Sequence, residues 1–400
     1  FLTNLRTRIV VIKMNVPKLR FKEYTNEWSY DSLNNFIERI MRKNKNNESN
    51  LVLTISAQYG LVDQCKFFNR NVSSSNLTGY YLLYKGDFAY NKSYSNGYPW
   101  GAIKRLNRYE TGVVSSLYIC FSCKNNINQK FLEQYFETNK WHQQISEISV
   151  EGARNHGLLN ISIDDFFNTK HFFPNLLEQN KIANFLTLLD KKIELQSQKI
   201  EALKLYKMCI KNIMFNGEKY TKTKLKYILK KWNEKNKNKE YDYVESVSNK
   251  HGFISQNEQF EDRNVASRDK SNYYIIRKNV FAYNPSRLDV GSLALKDNDL
   301  VSLVSPLYEC FTTNQNVNFM LEWFDSNEFK KGTFTKFEGG VRNTLSFTNL
   351  CEINISLPTI TEQNKIANIL MTFNNKLKYE NQKLEKLKNL KKGLMQNMFV

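Results

Sequence analysis

No stretch of the 400 residues approaches 18 consecutive apolar residues, so no membrane-spanning helix is expected. The opening Phe-Leu-Thr-Asn-Leu-Arg run has no signal-peptide apolar core or cleavage site. Cysteine is sparse at six residues without a regular framework, which reads as reduced thiols in a cytoplasmic protein. The four histidines (His142, His156, His171, His251) have no metal-ligand spacing, and Cys120-Phe121-Ser122-Cys123 is a lone pair. A structural zinc needs four ligands, so these cysteines read as strand thiols and no metal site is expected. No G-x-x-x-x-G-K-[ST] loop and no G-x-G-x-x-G opening a helix is present, which removes the common nucleotide-binding folds.

Other catalytic signatures are incomplete. Asn284-Pro285-Ser286-Arg287 departs from the Asn-Pro-Pro-Tyr of amino-methyltransferases at its last two positions, losing the stacking tyrosine. Asp325, Glu328 and Lys330 sit too close along one helical stretch to gather carboxylates around a metal, and read as a solvated face. No catalytic residue is therefore nominated. Charge is abundant: 58 Lys and Arg stand against 39 Asp and Glu, for a net charge of +19. Basic residues run along the whole chain, which fits a nucleic acid better than a membrane.

The organising feature is a repeat. Residues 178–216 and 362–400 align without gaps at an offset of 184, with 17 of 39 positions identical. Both carry a 4-3 apolar spacing, the mark of a coiled-coil seam. The first seam runs through Ile182, Leu186, Leu189, Ile193, Ile200, Leu203 and Ile210. The second runs through Ile366, Leu370, Phe373, Leu377, Leu384, Leu387 and Leu394. Polar interruptions fall at matching positions, Gln196 with Glu380 and Lys207 with Lys391. Asn175-x-x-Glu178 and Thr359-x-x-Glu362 read as capping boxes, each just after a proline. A helix of 39 residues extends about 58 Å. The other copy is the natural partner for each stripe, in an antiparallel pair; dimerisation or docking on another subunit are the alternatives.

The segments before each helix repeat more loosely. Phe88-Ala89-Tyr90-Asn91 parallels Phe281-Ala282-Tyr283-Asn284, and Gly152-Ala153-Arg154-Asn155 parallels Gly340-Val341-Arg342-Asn343. The expected organisation is an uncertain extension over 1–15, a first domain over 16–174, a long helix over 175–216, a second domain over 217–357 and a long helix over 358–400. The fold class is α+β, two related mixed domains joined by two antiparallel coiled-coil helices. Strands are expected at Leu51–Ile55, Leu117–Phe121 and Tyr273–Ile276, and single helices at Phe131–His142 and Asn316–Lys330.

The chain resembles the DNA-specificity subunit of Type I restriction–modification enzymes. The resemblance rests on the twin Pro-x₃-Glu-Gln-x-Lys-Ile-Ala helix openings at Pro174 and Pro358, on Val16-Pro17-Lys18-Leu19-Arg20-Phe21 followed by Trp28, and on Asn284–Arg287 with Gly291-Ser292. It covers 16–400. The second domain lacks a copy of the Pro17–Phe21 segment. The resemblance implies that each domain reads one half of a bipartite double-stranded DNA site and that the helices set the spacer. It also implies docking of methyltransferase subunits, two of them, that bind S-adenosylmethionine and methylate adenine at N6. A restriction and translocase subunit would bring ATP and Mg²⁺; this chain would bind no cofactor and catalyse nothing. A self-contained DNA methyltransferase or nuclease, and a coiled-coil scaffold without DNA, are the competing readings.

The glycine-punctuated loops are the expected DNA contacts. In the first domain these give Ser56, Gln58 and Tyr59; Lys92, Tyr94, Ser95, Asn96, Tyr98 and Trp100; and Arg154, Asn155 and His156. In the second they give Ser248, Asn249, Lys250 and His251; Arg287 and Ser292; and Arg342, Asn343 and Thr344. Arg154 and Arg342 recur in both halves, which favours phosphate or the fold over base reading. Tyr94, Tyr98 and Trp100 serve either DNA or the packing of a turn.

Overall fold

Every strand of the first half has a counterpart in the second. The computed structural model describes residues 15–69, 74, 76–94, 97–149, 159–215, 220–248, 252–256, 269–288, 291–337 and 344–400. The chain divides into two compact units, Phe1–Gln196 with Lys383–Val400, and Ser197–Gln382. The two long helices, Leu176–Phe215 and Ile360–Met398, each contribute to both units.

In the first unit Ser29–Ser32 pairs antiparallel with Lys170–Phe173. A four-stranded antiparallel sheet runs in the order Ile37–Arg39, Ile119–Cys123, Phe88–Asn91, Ala102–Arg105. The hairpin Leu53–Ser56/Gly60–Asp63 and the ladder Tyr81–Tyr84/Thr111–Val114 complete the β-structure. The second unit repeats this plan. Thr221–Lys224 pairs with Asn354–Leu357, and the sheet runs Leu229–Lys231, Glu309–Thr313, Phe281–Tyr283, Leu293–Leu295. Its hairpin is Glu245–Ser248/Gly252–Ser255 and its ladder Tyr274–Ile276/Ser302–Val304. The repeated Phe-Ala-Tyr supplies the same core contact twice. Phe88 stacks on Phe121 at 5.2 Å between centroids, and Phe281 on Phe311 at 5.1 Å. Such stacked pairs add about 0.5–1.5 kcal/mol beyond area burial.

Two expectations are corrected here. The stretch read as one helix from Phe131 is two, Gln129–Phe136 and His142–Ile148. The stretch from Asn316 is likewise Val317–Phe324 and Asn327–Phe334. Local side chains end the first helix of each pair. Thr138 Oγ1 donates to the Tyr135 carbonyl at 2.6 Å, and Ser326 Oγ accepts from Phe329 N at 3.2 Å as a new N-cap.

The long helices pack as the seam requires. All the apolar seam residues are buried or half-buried. Within the first unit Lys391 meets Asp190 at 2.5 Å; within the second, Lys199 meets Glu380 at 2.6 Å and Lys207 meets Asn374 at 2.6 Å. Within the second unit rising numbers on one helix meet falling numbers on the other, so the pairing there is antiparallel. The polar interruptions also have partners. In the second unit Lys207 and Lys211 converge on Glu322, at 3.0 and 2.9 Å. Burial opposes ionisation there, but the two lysines hold the Glu322 carboxyl below its ordinary value. The first unit builds the same node with acid and amide exchanged: Asp190 on the helix accepts from Gln134 at 2.7 Å, where the second unit has Asn374 and Glu322.

The shared Glu-Gln-Asn opening is a structural clamp. Gln179 Oε1 accepts from Asn128 N at 2.8 Å, and Gln363 Oε1 accepts from Asn316 N at 3.1 Å. Each glutamine also donates to the preceding proline carbonyl, Pro174 at 2.9 Å and Pro358 at 3.0 Å. The glutamates diverge. Thr359 and Glu362 form the full reciprocal capping box. At the first helix only half of the box forms: Asn175 Oδ1 accepts Glu178 N, while the Glu178 carboxylate takes Arg20 at 2.7 and 2.8 Å and the Trp28 indole at 3.3 Å. The leading segment that only the first unit has claims this side chain. It also ties onto the end of the second long helix, through Leu19 N to the Asn397 carbonyl at 2.8 Å.

Candidate nucleic-acid interface

The first loop of interest is a hairpin tip. Ser56 is buried at the end of its strand and accepts from Tyr59 N at 3.2 Å, which turns Gln58 and Tyr59 into solvent. Gly60, at φ +81°, takes a conformation that side chains disfavour. In the second loop, Tyr94 is exposed, but Lys92 is committed. Its ammonium donates to the Ile161 carbonyl at 2.9 Å, and burial lowers its pKa. Trp100 packs on the core and its carbonyl accepts the Tyr90 hydroxyl at 2.8 Å. The following Gly101 must stay glycine, since a Cβ there would lie 2.2 Å from the Asn91 carbonyl oxygen. Ser95, Asn96, Arg154, Asn155 and His156 lie outside the described residues.

In the second unit Arg287 projects from a 3-10 turn, Pro285–Arg287, and is exposed. Asn284 Oδ1 accepts from Ser286 N at 3.0 Å to start that turn. Ser292 is buried and closes it from behind: its N–H donates to the Arg287 carbonyl and its own carbonyl accepts from Asn284 N, both at 3.1 Å. Leu345 N donates to the Pro285 carbonyl at 3.1 Å, which brings the half-buried Thr344 beside the Arg287 turn. The first unit makes the matching link from Leu159 N to the Lys92 carbonyl at 3.0 Å. Ser248 ends a strand and is half-buried; Asn249, Lys250, His251, Arg342 and Asn343 lie outside the described residues.

The hairpin tip and the Tyr98 loop of the first unit line one cleft of about 860 Å³. Its walls carry cations that sequence reading did not nominate: Lys104, Arg105 and Arg108 from the globule, and Lys388, Lys391 and Lys392 from the second long helix. Three have acid partners there, Lys104 with Glu137, Arg105 with Glu133, and Lys391 with Asp190. Burial raises the Glu133 carboxyl against the pull of Arg105. The local signal was Lys104-Arg105-Leu106-Asn107-Arg108, three cations in five residues at a strand end.

Three of the six cysteines, Cys120, Cys123 and Cys310, sit in the sheets. Burial pushes the Cys120 and Cys123 thiols up to about 12, and Cys310 is buried at the matching position. Among the described residues no cluster of His, Cys, Asp and Glu is arranged to hold a metal ion. No described helix is long and apolar enough to cross a membrane.

Residues 215–389 match the sequence family described as the Type I restriction modification DNA specificity domain. No curated protein matches the chain. Among solved structures, the S subunit of a Type-I restriction-modification system from M. genitalium is 15% identical, with a TM-score of 0.53 over 96% of this chain and 99% of that one. A chain from a structure of the type I R-M system, described for its complex assembly and conformational transition, is 13% identical, with a TM-score of 0.55 over 92% and 96%. Residues 215–389, the second globule and most of the second long helix, thus carry the sequence pattern of the Type I restriction–modification DNA-specificity domain, and the fold of the chain is similar to that of the solved S subunit.

Proposed function

We propose that the chain is the specificity subunit of a type I restriction–modification complex and reads a bipartite site in double-stranded DNA, one half per unit. The observation that carries this is a duplicated frame with unlike loops. The two units share sheet order and core stacking, yet after the Phe-Ala-Tyr strand one presents Tyr94 where the other presents the Arg287 turn, and the hairpin tips differ in sequence, Gln58-Tyr59 against Lys250-His251. Identical scaffolds with different exposed polar groups are what reading two different half-sites requires. The net charge of +19 supplies the phosphate attraction.

In this reading the chain is non-catalytic and works in the cytoplasm. Two methyltransferase subunits bind S-adenosylmethionine and methylate adenine N6 in the half-sites; a restriction subunit adds ATP- and Mg²⁺-dependent cleavage. The first long helix offers a docking face. Leu177, Leu188, Leu195, Tyr206 and Ile213 are each more than half exposed. Their spacing of 11, 7, 11 and 7 residues keeps them on one side of a helix of 3.6 residues per turn.

The spacer role has a direct test. Seven residues, one heptad, inserted at matched places in both long helices keep the seam and add about 10.5 Å. At 3.4 Å per base pair the methylated half-sites should move apart by about three base pairs. An unchanged spacer would show that the helices do not set it.

A further inference from the structure

We propose that the first-unit cleft is a binding site for nucleotide phosphate, supplied by the DNA backbone beside the half-site this unit reads. The inference rests on the DNA-reading function proposed above, and its test separates the two.

One buried donor in this cleft, Arg105 Nε, has no hydrogen-bond partner among the described residues, and an anion can accept from it. Buried donors left unpaired are uncommon. Above it, the rim carries Arg108 and Lys392, both exposed and facing the same cleft from the globule and from the second long helix. The acids in the cleft are taken up by Lys104, Arg105 and Lys391, so Arg108 and Lys392 lend it excess positive charge. Tyr59 and Tyr98, from the loops expected to touch DNA, border the same space. The site is therefore continuous with the proposed DNA face, which favours a nucleotide over an acidic peptide.

The second unit shows that this charge is not required by the fold. Register fixes the equivalences, since Phe88 lies opposite Arg105 and Phe281 opposite Leu295. Lys104, Arg105 and Arg108 thus correspond to Ala294, Leu295 and Asn298, and the helix repeat matches Lys392 to Met208. Four cationic positions become neutral in a unit of the same topology. These four charges are particular to the first unit.

The experiment uses the chain in complex with its methyltransferase subunits and a fluorescent duplex carrying the methylated site. Affinity is measured from 50 to 300 mM salt for wild type, for Arg108→Gln with Lys392→Gln, and for the charge-keeping Arg108→Lys with Lys392→Arg. Each phosphate contact contributes about 0.9 to the slope of log affinity against log salt. The Gln pair should lower that slope by about 1.8 and leave the ranking of half-site base substitutions unchanged; the charge-keeping pair should restore it. Titration with ATP distinguishes the source. Saturable ATP binding that the Gln pair abolishes, with the DNA slope intact, keeps the phosphate site and assigns it to a free nucleotide. An unchanged slope together with no ATP effect overturns the proposal. Release of the methyltransferase by the Gln pair at unchanged slope also overturns it, in favour of an acidic protein segment. A wild-type complex with no preference for a bipartite site would instead refute the DNA-reading function.

Discussion

Replacing the buried Glu245–Lys296 pair by two leucines should leave the second unit as stable as before, or more so. The two side chains meet at 2.5 Å and are 5% and 0% exposed. At that separation and an effective dielectric of about 20, their attraction is roughly 7 kcal/mol. Removing both charges from water costs several kcal/mol per ion, so the net contribution lies near zero. The first unit shows the apolar solution at the same positions. The hairpin and sheet registers match Glu245 to Leu53 and Lys296 to Leu106, and both leucines are buried in one cluster. A buried leucine contributes about 1.5–3 kcal/mol. Glu245→Leu with Lys296→Leu should therefore be neutral or stabilising by about 1–4 kcal/mol, whereas Lys296→Leu alone strands a buried carboxylate and should cost about 3–5 kcal/mol. Urea midpoints, followed by hydrogen exchange in peptides from the Glu245–Ser255 hairpin, report on this unit alone. A double variant no more stable than the single one would refute the reasoning, because it would mean the ion pair itself holds the hairpin.

Three further outcomes follow from the same geometry. Glu178→Ala strands Arg20 and should destabilise the first unit by about 3–5 kcal/mol, while Glu362→Ala loses only a cap and should cost about 0.5–2 kcal/mol; equal effects in urea unfolding would contradict the different partners seen here. His171 is buried between Tyr135 and Thr169 at 2.7 and 2.8 Å, and burial lowers its pKa from 6.5 to about 3. The unfolded state then takes the proton first, so stability is full above pH 6.5 and falls toward pH 3 by up to about 1.4 kcal/mol per pH unit. His171→Gln should flatten that part of the stability–pH curve, and identical curves would show that the ring is not held neutral. Arg287→Ala should weaken recognition of one half-site by about 1–3 kcal/mol in competition binding; a uniform loss on all DNA would make it a phosphate contact.

The helical repeat was legible because it is local and long. Nine seam positions in each copy follow a 4-3 spacing, and the structure buries or half-buries the apolar ones. The topology of the globules was not legible. Their strands are three to five residues long and pair across distances such as Ser29 with Phe173, which no local pattern encodes. Glu178 looked like a capping residue because its spacing from Asn175 is right, and only the folded chain shows Arg20 competing for it. The cleft escaped notice for the same reason. Arg108 and Lys392 are 284 positions apart and are unremarkable among 58 basic residues until the fold places them on one rim. Nothing in the sequence marks Lys296 and Glu245 as buried.

The most direct test of the central claim is to map N6-methyladenine across the genome of a methylation-free host. The host would express the cognate methyltransferase with and without this chain. A single bipartite motif, methylated only when the chain is present, is the predicted result and would give both half-sites together. Methylation that is independent of the chain, or a continuous motif in place of a split one, would contradict the account.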